Sequence, residues 1–233
     1  MSDALQYTMF QDVFFPSDNG DADGTNFARN LLLAKELRYQ PLMNTKIRET
    51  SIVIFDFETT GLRAETDRII EIGGLKITRG RPMQEFQTLV KVPMSLSQEI
   101  TKITGITDEM LTDCPTIEEV LKDFLSFIDG SIIAAHNADF DMAVLTAECT
   151  RLGIQIDWPC FCTLKLSRAL LPDLNSRSLD NLAAHYGLTF EARHRSIGDC
   201  KVTYEVFKKL LDNEGVELAS WSDFQPFSVV IGK

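Results

Sequence analysis

Two acids stand two residues apart at the end of an apolar run, Ser51-Ile-Val-Ile-Phe-Asp56-Phe-Glu58-Thr-Thr-Gly61. The run is short, continuous and rich in the β-branched and aromatic residues that favour strands, so it reads as a strand buried on both faces. Side chains two apart on a strand point the same way, and Asp56 and Glu58 therefore emerge side by side near its tip. Neighbouring carboxylates raise each other's pKa, and burial raises both, unless positive charge lies between them. A divalent cation supplies that charge, and hard oxygen donors suit magnesium or manganese better than zinc. The bland alternative is a strand end whose acids simply reach water. Two later stretches bear on the choice: His136-Asn-Ala-Asp139-Phe-Asp141 and His194-Arg-Ser-Ile-Gly-Asp199 each put an acid at a strand end or helix start, where backbone and dipole orient it.

Holding those stretches together requires a sheet and the helices that follow it. Arg68 to Ile77 reads as a second strand, interrupted by Gly73 and Gly74, and Met83 to Val92 as a third, with a turn from Thr78 to Pro82. Three consecutive strands with short links make an antiparallel meander. Thr116 and Glu119 form a capping box for a helix whose apolar face is Ile117, Val120, Leu121, Phe124, Leu125 and Ile128, stopped by Gly130. Ser131 to Ala135 is another buried strand, followed by a helix ending near Gly153. Thr163 to Leu171 and Ser178 to Tyr186 are short helices broken by Pro172 and ended by Gly187, Glu191 to Arg195 is a polar loop, and Ile197 to Leu211 is the last long helix. Strands first and helices later, with a strand-helix-strand crossover, predict an α/β fold: a three-strand antiparallel meander plus parallel strands in one mixed sheet, flanked by helices.

In this order and spacing the three acidic motifs resemble those of the DEDDh-type 3'-to-5' exonucleases, the group typified by the proofreading epsilon subunit of bacterial DNA polymerase III. The resemblance runs from about Thr50 to Leu211 and extends to Arg68-Ile-Ile-Glu71-Ile-Gly73 and Ser178-Leu-Asp180-Asn-Leu. It implies a ribonuclease-H-like fold and a phosphodiesterase working with two Mg2+ or Mn2+ ions. Carried over motif by motif, Asp56, Glu58, Asp141 and Asp199 are the expected metal-binding carboxylates and His194 the expected general base. In the second motif the resemblance selects the acid after Phe140, which leaves Asp139 as a solvated residue or helix cap. Thr59, Thr60, Gly61 and Leu62 match the segment that meets the terminal nucleotide, with backbone amides near the 3' end and an apolar side chain against its base. Gly61 has an independent reason, since close approach of backbone to ligand favours a residue without a Cβ. Asn137 is a candidate near the terminal phosphate, with helix capping an equal alternative, and His185, outside any motif, reads as structural.

Elementary chemistry agrees with what the resemblance implies. Water attacks a phosphodiester in line while charge builds on the attacking and leaving oxygens, and two cations about 3.5 to 4 Å apart stabilise both. A neutral imidazole can take the proton of that water, an effect typically worth about 10² to 10⁴ in rate. The polar loop around His194 predicts that this residue swings in when substrate binds. The expected reaction releases nucleoside 5'-monophosphates from single-stranded or frayed DNA 3' ends. RNA trimming by a member of the same family, or a non-catalytic replication adaptor, are the alternatives, because these motifs do not read the 2'-hydroxyl.

The 233 residues, 44% hydrophobic and 24% charged, suit one soluble domain with an appendage, and no run approaches the ~20 apolar residues of a membrane span. We divide the chain into an N-terminal extension over 1–48, an exonuclease domain over 49–213 and a C-terminal tail over 214–233. In the extension, Pro16 to Gly24 is an acidic loop that approaches a calcium-binding pattern but has Asn30 where a bidentate Glu is needed. Phe27, Leu31, Ala34 and Leu37 predict an amphipathic helix over 26–39. Gln11-Asp-Val-Phe-Phe15 is a weak match to clamp-docking peptides, so a sliding clamp or a DNA polymerase is the protein partner to test. Trp221 to Phe227 either docks on a partner or packs on the body. Five cysteines without scaffold spacing, and a start lacking a secretory pattern, predict reduced thiols and a cytoplasmic location. Cys160 and Cys162 lack the second pair a zinc site needs. A net charge of -11 argues against a broad polyanion-binding face. From Thr163 to Leu211, however, eight Lys and Arg stand against five acids, a local excess suited to a short nucleic-acid end.

Overall fold

The computed structural model describes residues 46–213 and 220–229. The loop over 16–24, the helix over 26–39 and the clamp-type peptide at 11–15 lie outside them.

The apolar run becomes strand β1 (Ser51–Thr59), the middle of a five-stranded sheet of order β3-β2-β1-β4-β5. Strands β2 (Ile69–Thr78) and β3 (Arg81–Leu89) complete the antiparallel meander, joined through Arg79 and Gly80, both at positive φ as a two-residue hairpin turn requires. Strands β4 (Ile132–Ala135) and β5 (Cys160–Cys162) run parallel to β1. The expected mixed sheet of the ribonuclease-H-like type is therefore present. The sequence reading missed β5, whose three residues carry no measurable alternation. It also missed α1 (Gln98–Thr104) and α2 (Asp108–Leu111), which are too short for a helical period and are announced only by their caps, Ser97 and Thr107.

Alternation along β1 divides the core. Val53, Phe55 and Phe57 pack with α3 (Ile117–Ile128) and α4 (Ala138–Arg151), where Phe124 meets Phe57 at 5.7 Å between ring centroids. Ile52 and Ile54 face the other way, toward α6 (Leu179–Tyr186) and α7 (Ser196–Asn213). Fully buried Phe55, Phe124, Phe161 and Phe224 each contribute about 1.5–3 kcal/mol of apolar transfer.

The two glycines do not interrupt β2. A Cβ on Gly73 would stand 2.6 Å from the backbone of Ser196, so the missing side chain is what lets the start of α7 lie directly on the strand. Trp221 to Phe227 is not a free peptide: it forms a 3-10 helix whose Phe224 ring lies 5.1 Å from Phe161, and Val229 continues onto the Cys160 carbonyl at 3.0 Å. Residues 220–229 thus pack on the body of the sheet. Among the described residues no helix is long and apolar enough to cross a membrane.

Candidate active site

Because β1 and β4 are parallel, their carboxyl ends lie at the same end of the sheet, where open α/β sheets place ligands. Asp56 and Glu58 lie there on the face of Ile52 and Ile54, beneath α7. In register, Asp56 sits opposite Gly73 and Glu58 opposite Glu71. Ser196 rests on Gly73, and Asp199 follows one helical turn later, so the glycine contact brings the third-motif acid over the first-motif pair. Asp141 arrives from the first turn of α4, after a turn at Asn137 held in the left-handed region at φ 69°, which asparagine tolerates better than most residues. The Phe57 amide, between the two β1 acids, donates to the Asp141 carboxylate.

The electrostatics are those of acids crowded into a poorly solvated corner. Burial, then the charges of Asp141, Glu58 and Asp199, push Asp56 well above the usual carboxylate range. Glu58 is raised to about 8 by burial and then by Asp199. Asp141 rises to about 7 and Asp199 to about 6, burial being the first cause of each. One ligand atom each of Glu58, His194 and Asp199 lie within 4.8 Å of one another. Asp199 Oδ1 is buried without a hydrogen-bond partner, a costly state for a carboxylate oxygen. Oxygen donors, mutual repulsion and an orphaned buried oxygen together fit a hard divalent cation.

The RNase_T exonuclease family profile matches residues 53–207. The chain belongs to this exonuclease family. Among its relatives, the PolC-type DNA polymerase III of Caldanaerobacter subterraneus is 42% identical over 164 residues, covering 70% of this chain and 12% of that protein. The PolC-type enzyme of Thermotoga maritima is 42% identical over 165 residues, with the same coverage of 70% and 12%. The chain thus spans about an eighth of the length of these relatives. This kinship with bacterial DNA polymerase III agrees with the resemblance of the three acidic motifs to proofreading-type exonucleases. Exonuclease X, solved in complex with 5' overhanging duplex DNA, superposes with a TM-score of 0.60 at 27% identity, covering 74% of this chain and 98% of that one. E. coli Exonuclease I in complex with a dT13 oligonucleotide shares the fold at a TM-score of 0.64 and 19% identity, covering 71% and 41%. As an exonuclease of DEDD type the chain is a hydrolase, and its family implies divalent metal ions.

Within this exonuclease the motif residues converge, with differences in detail. His194 already stands beside Glu58 and Asp199, so no swing is needed to bring it to the acids. It holds a left-handed backbone at φ 58°, and burial and then Arg193 lower its pKa, keeping the imidazole neutral. Asp139 is exposed and paired with Lys165 at 2.8 Å, as a solvated residue should be. Asn137 occupies the N-cap position of α4, but its side chain makes no capping bond. In the 59–62 segment, Thr59 donates to the Gly61 carbonyl at 2.5 Å and the Thr60 amide is committed to the Arg68 carbonyl at 2.9 Å. Gly61 has an internal cause as well, since a Cβ there would lie 2.5 Å from the Asp67 carboxylate. Leu62 stands 86% exposed beside this turn.

The sequence reading gave no role to several residues that build the site. Neutral His136, its pKa lowered by burial to about 4, donates Nε2–H to the Arg177 carbonyl at 2.9 Å and meets Thr163 through Nδ1 at 3.0 Å, tying the start of α4 to α5 (Thr163–Leu170). Glu148 accepts from Arg68 at 2.7 and 3.1 Å. Arg193 bridges Asp180 and Asp199. The basic window is largely spoken for: Lys165, Arg193, Arg195, Lys201 and Lys208 all hold acids. It therefore presents less free charge than its composition indicates. Such partners, often distant in sequence, leave no local signature.

Proposed function

We propose that this chain is a two-metal-ion 3'-to-5' exonuclease acting on single-stranded or frayed DNA ends and releasing nucleoside 5'-monophosphates. The observation that supports it best is the crowding of Asp56 with Glu58, Asp141 and Asp199, with His194 beside Glu58 and Asp199 and the buried Asp199 Oδ1 unpartnered. The four carboxylates would hold two Mg2+ or Mn2+ ions, which when bound supply positive charge against the charge developing on the scissile phosphate. His194 takes the proton of the attacking water through a ring nitrogen kept unprotonated by burial and by Arg193. Leu62 covers the terminal base, the turn of Thr59, Thr60 and Gly61 positions the end of the strand, and Asn137 lies toward the terminal phosphate. Kinship with PolC-type polymerases and the DNA in the Exonuclease X complex favour DNA as substrate and editing of polymerase products as its use. A DNA polymerase or sliding clamp is the partner to assay, with the extension over 1–48 as the segment to delete.

The test is digestion of end-labelled DNA and matched RNA oligonucleotides, with free or blocked 3' termini, in magnesium. Loss of single nucleotides from free 3' DNA ends, absent with Asp141→Ala, is the expected result. Equal or faster digestion of RNA transfers the assignment to RNA trimming, and no digestion of either leaves only a binding role.

A further inference from the structure

Arg193 lies next to His194 but outside the three acidic motifs, and it is fixed on three sides. Its Nε and Nη2 fork onto Asp180 at 2.7 and 2.9 Å, a bidentate pair in a half-exposed position. Its guanidinium carbon stands 4.9 Å from the Phe190 ring centroid, within cation–π range. Its remaining arm, Nη1, reaches inward and donates to Asp199 Oδ2. Asp199 is therefore half satisfied, one oxygen on a guanidinium and the other buried with no partner. The same carboxylate also accepts from the His194 amide, so the loop carrying Arg193 and His194 is tied to it twice.

A guanidinium and a divalent cation repel each other and cannot both sit close against one carboxylate without cost. The Asp180 fork and the Phe190 ring do not depend on Asp199, so the Asp199 carboxylate can rotate off Nη1 while the rigid guanidinium stays anchored. We propose that Arg193 is a displaceable counter-ion of the metal centre: it holds Asp199 while the centre is empty, yields Asp199 to an entering divalent cation, and offers the Nη1 so freed, still held in place by the Asp180 fork, to an oxygen of the substrate phosphate. This rests on the metal-dependent reading above and adds to it a residue that links cation entry to phosphate binding. A phosphate oxygen is the natural acceptor for the released donor, because the charge-assisted bond given up on Asp199 is replaced by one of the same kind.

The test is calorimetric titration of Mn2+ into the full chain, comparing wild type with Arg193→Gln, Arg193→Lys and Asp56→Asn, after melting curves show each to be folded. With no guanidinium to displace, Arg193→Gln should bind manganese roughly tenfold tighter. Arg193→Lys, which keeps the charge, should stay nearer wild type. In saturating manganese, the affinity of Arg193→Gln for thymidine 5'-monophosphate should fall about tenfold, as loss of a charge-assisted bond predicts. Manganese affinity in Arg193→Gln equal to or weaker than wild type overturns the proposal, and so does unchanged nucleotide affinity. If wild type takes up no manganese and matches Asp56→Asn, the metal-dependent reading itself fails and the role of Arg193 falls with it.

Discussion

Glu71 on β2 and Arg195 ahead of α7 are 124 positions apart, yet Arg195 Nη2 donates to Glu71 Oε1 at 2.6 Å while the Ser196 amide donates to Oε2 at 2.9 Å. Burial alone would raise the Glu71 carboxyl, but the bonds from Arg195, Ser196 and Gln87 outweigh it and hold the group ionised. Glu71 also stands opposite Glu58 in the β1–β2 register. One carboxylate thus fixes the N-terminus of α7 beside the cluster, with His194 and Asp199 on either side of the fixed point. Glu71→Gln keeps the volume and removes the charge. Because Arg195 is 31% exposed and can rehydrate, the cost falls at the low end for a broken buried pair, about 2–3 kcal/mol. Turnover should drop by more than the lost stability explains, since His194 and Asp199 lose their register. Urea melts and kcat, measured well below the melting temperature, check both, and a full-rate variant would refute the positioning role.

The same pair shows where sequence reasoning stops. Asp56 and Glu58 were legible because both ride one strand, whose two-residue period is local. Helix α3 was legible because its capping box and apolar stripe lie within one stretch. Nothing local marks Glu71 as the partner of Arg195, or Gly73 as the seat of Ser196, because those contacts exist only once β2 and α7 are packed together. Arg193 was counted as part of a basic window, whereas its charge is spent on Asp180 and Asp199. Strand β5 was hidden by its length, and only its pairing with β4 gives Cys160 and Cys162 their place in the core.

Asp139 and Asp141 differ by two positions in α4 and by almost everything else. Asp139 is a solvated ion pair with Lys165, while Asp141 is buried and receives the Phe57 amide. Asp139→Asn should leave turnover within about twofold, since exposed pairs are worth little. Asp141→Asn should lower kcat by about 10² or more, on the scale of a lost electrostatic contact at the reacting centre. Single-turnover digestion of a 3'-labelled strand measures both, and a large loss from Asp139→Asn would move the metal-binding assignment to that acid.

Leu62 is 86% exposed, an apolar side chain with little packing to lose. Leu62→Ser should therefore change stability by less than about 0.5 kcal/mol. If the side chain covers the terminal base, the variant gives up about 1 kcal/mol of apolar contact, roughly a fivefold rise in KM for single-stranded DNA. kcat should hardly move, because the acids and His194 are untouched. A wild-type KM would remove Leu62 from the substrate contact.

Stability should fall with rising pH in chelator and lose or reverse that slope in metal. Glu58 at about 8 and Asp141 at about 7 stay partly protonated in the folded, metal-free protein at pH values where the unfolded chain has already lost those protons. The folded state then binds more protons than the unfolded one, so its stability falls as pH rises through that window. Below pH 6.5 the lowered pKa values of His136 and His194 act the other way, because the unfolded histidines take up protons that the folded ones refuse. The clean interval is therefore about pH 6.5 to 8.5, over which the melting temperature in chelator should drop by a few degrees, on the order expected for ~1 kcal/mol. Divalent ions bind the ionised acids, so magnesium should stabilise more at the upper end than at the lower and cancel or reverse the slope. Melts at fixed ionic strength, with chelator or magnesium, read this directly. A metal-free melting temperature that climbs over that interval would mean that the acids are charged and compensated by some other group.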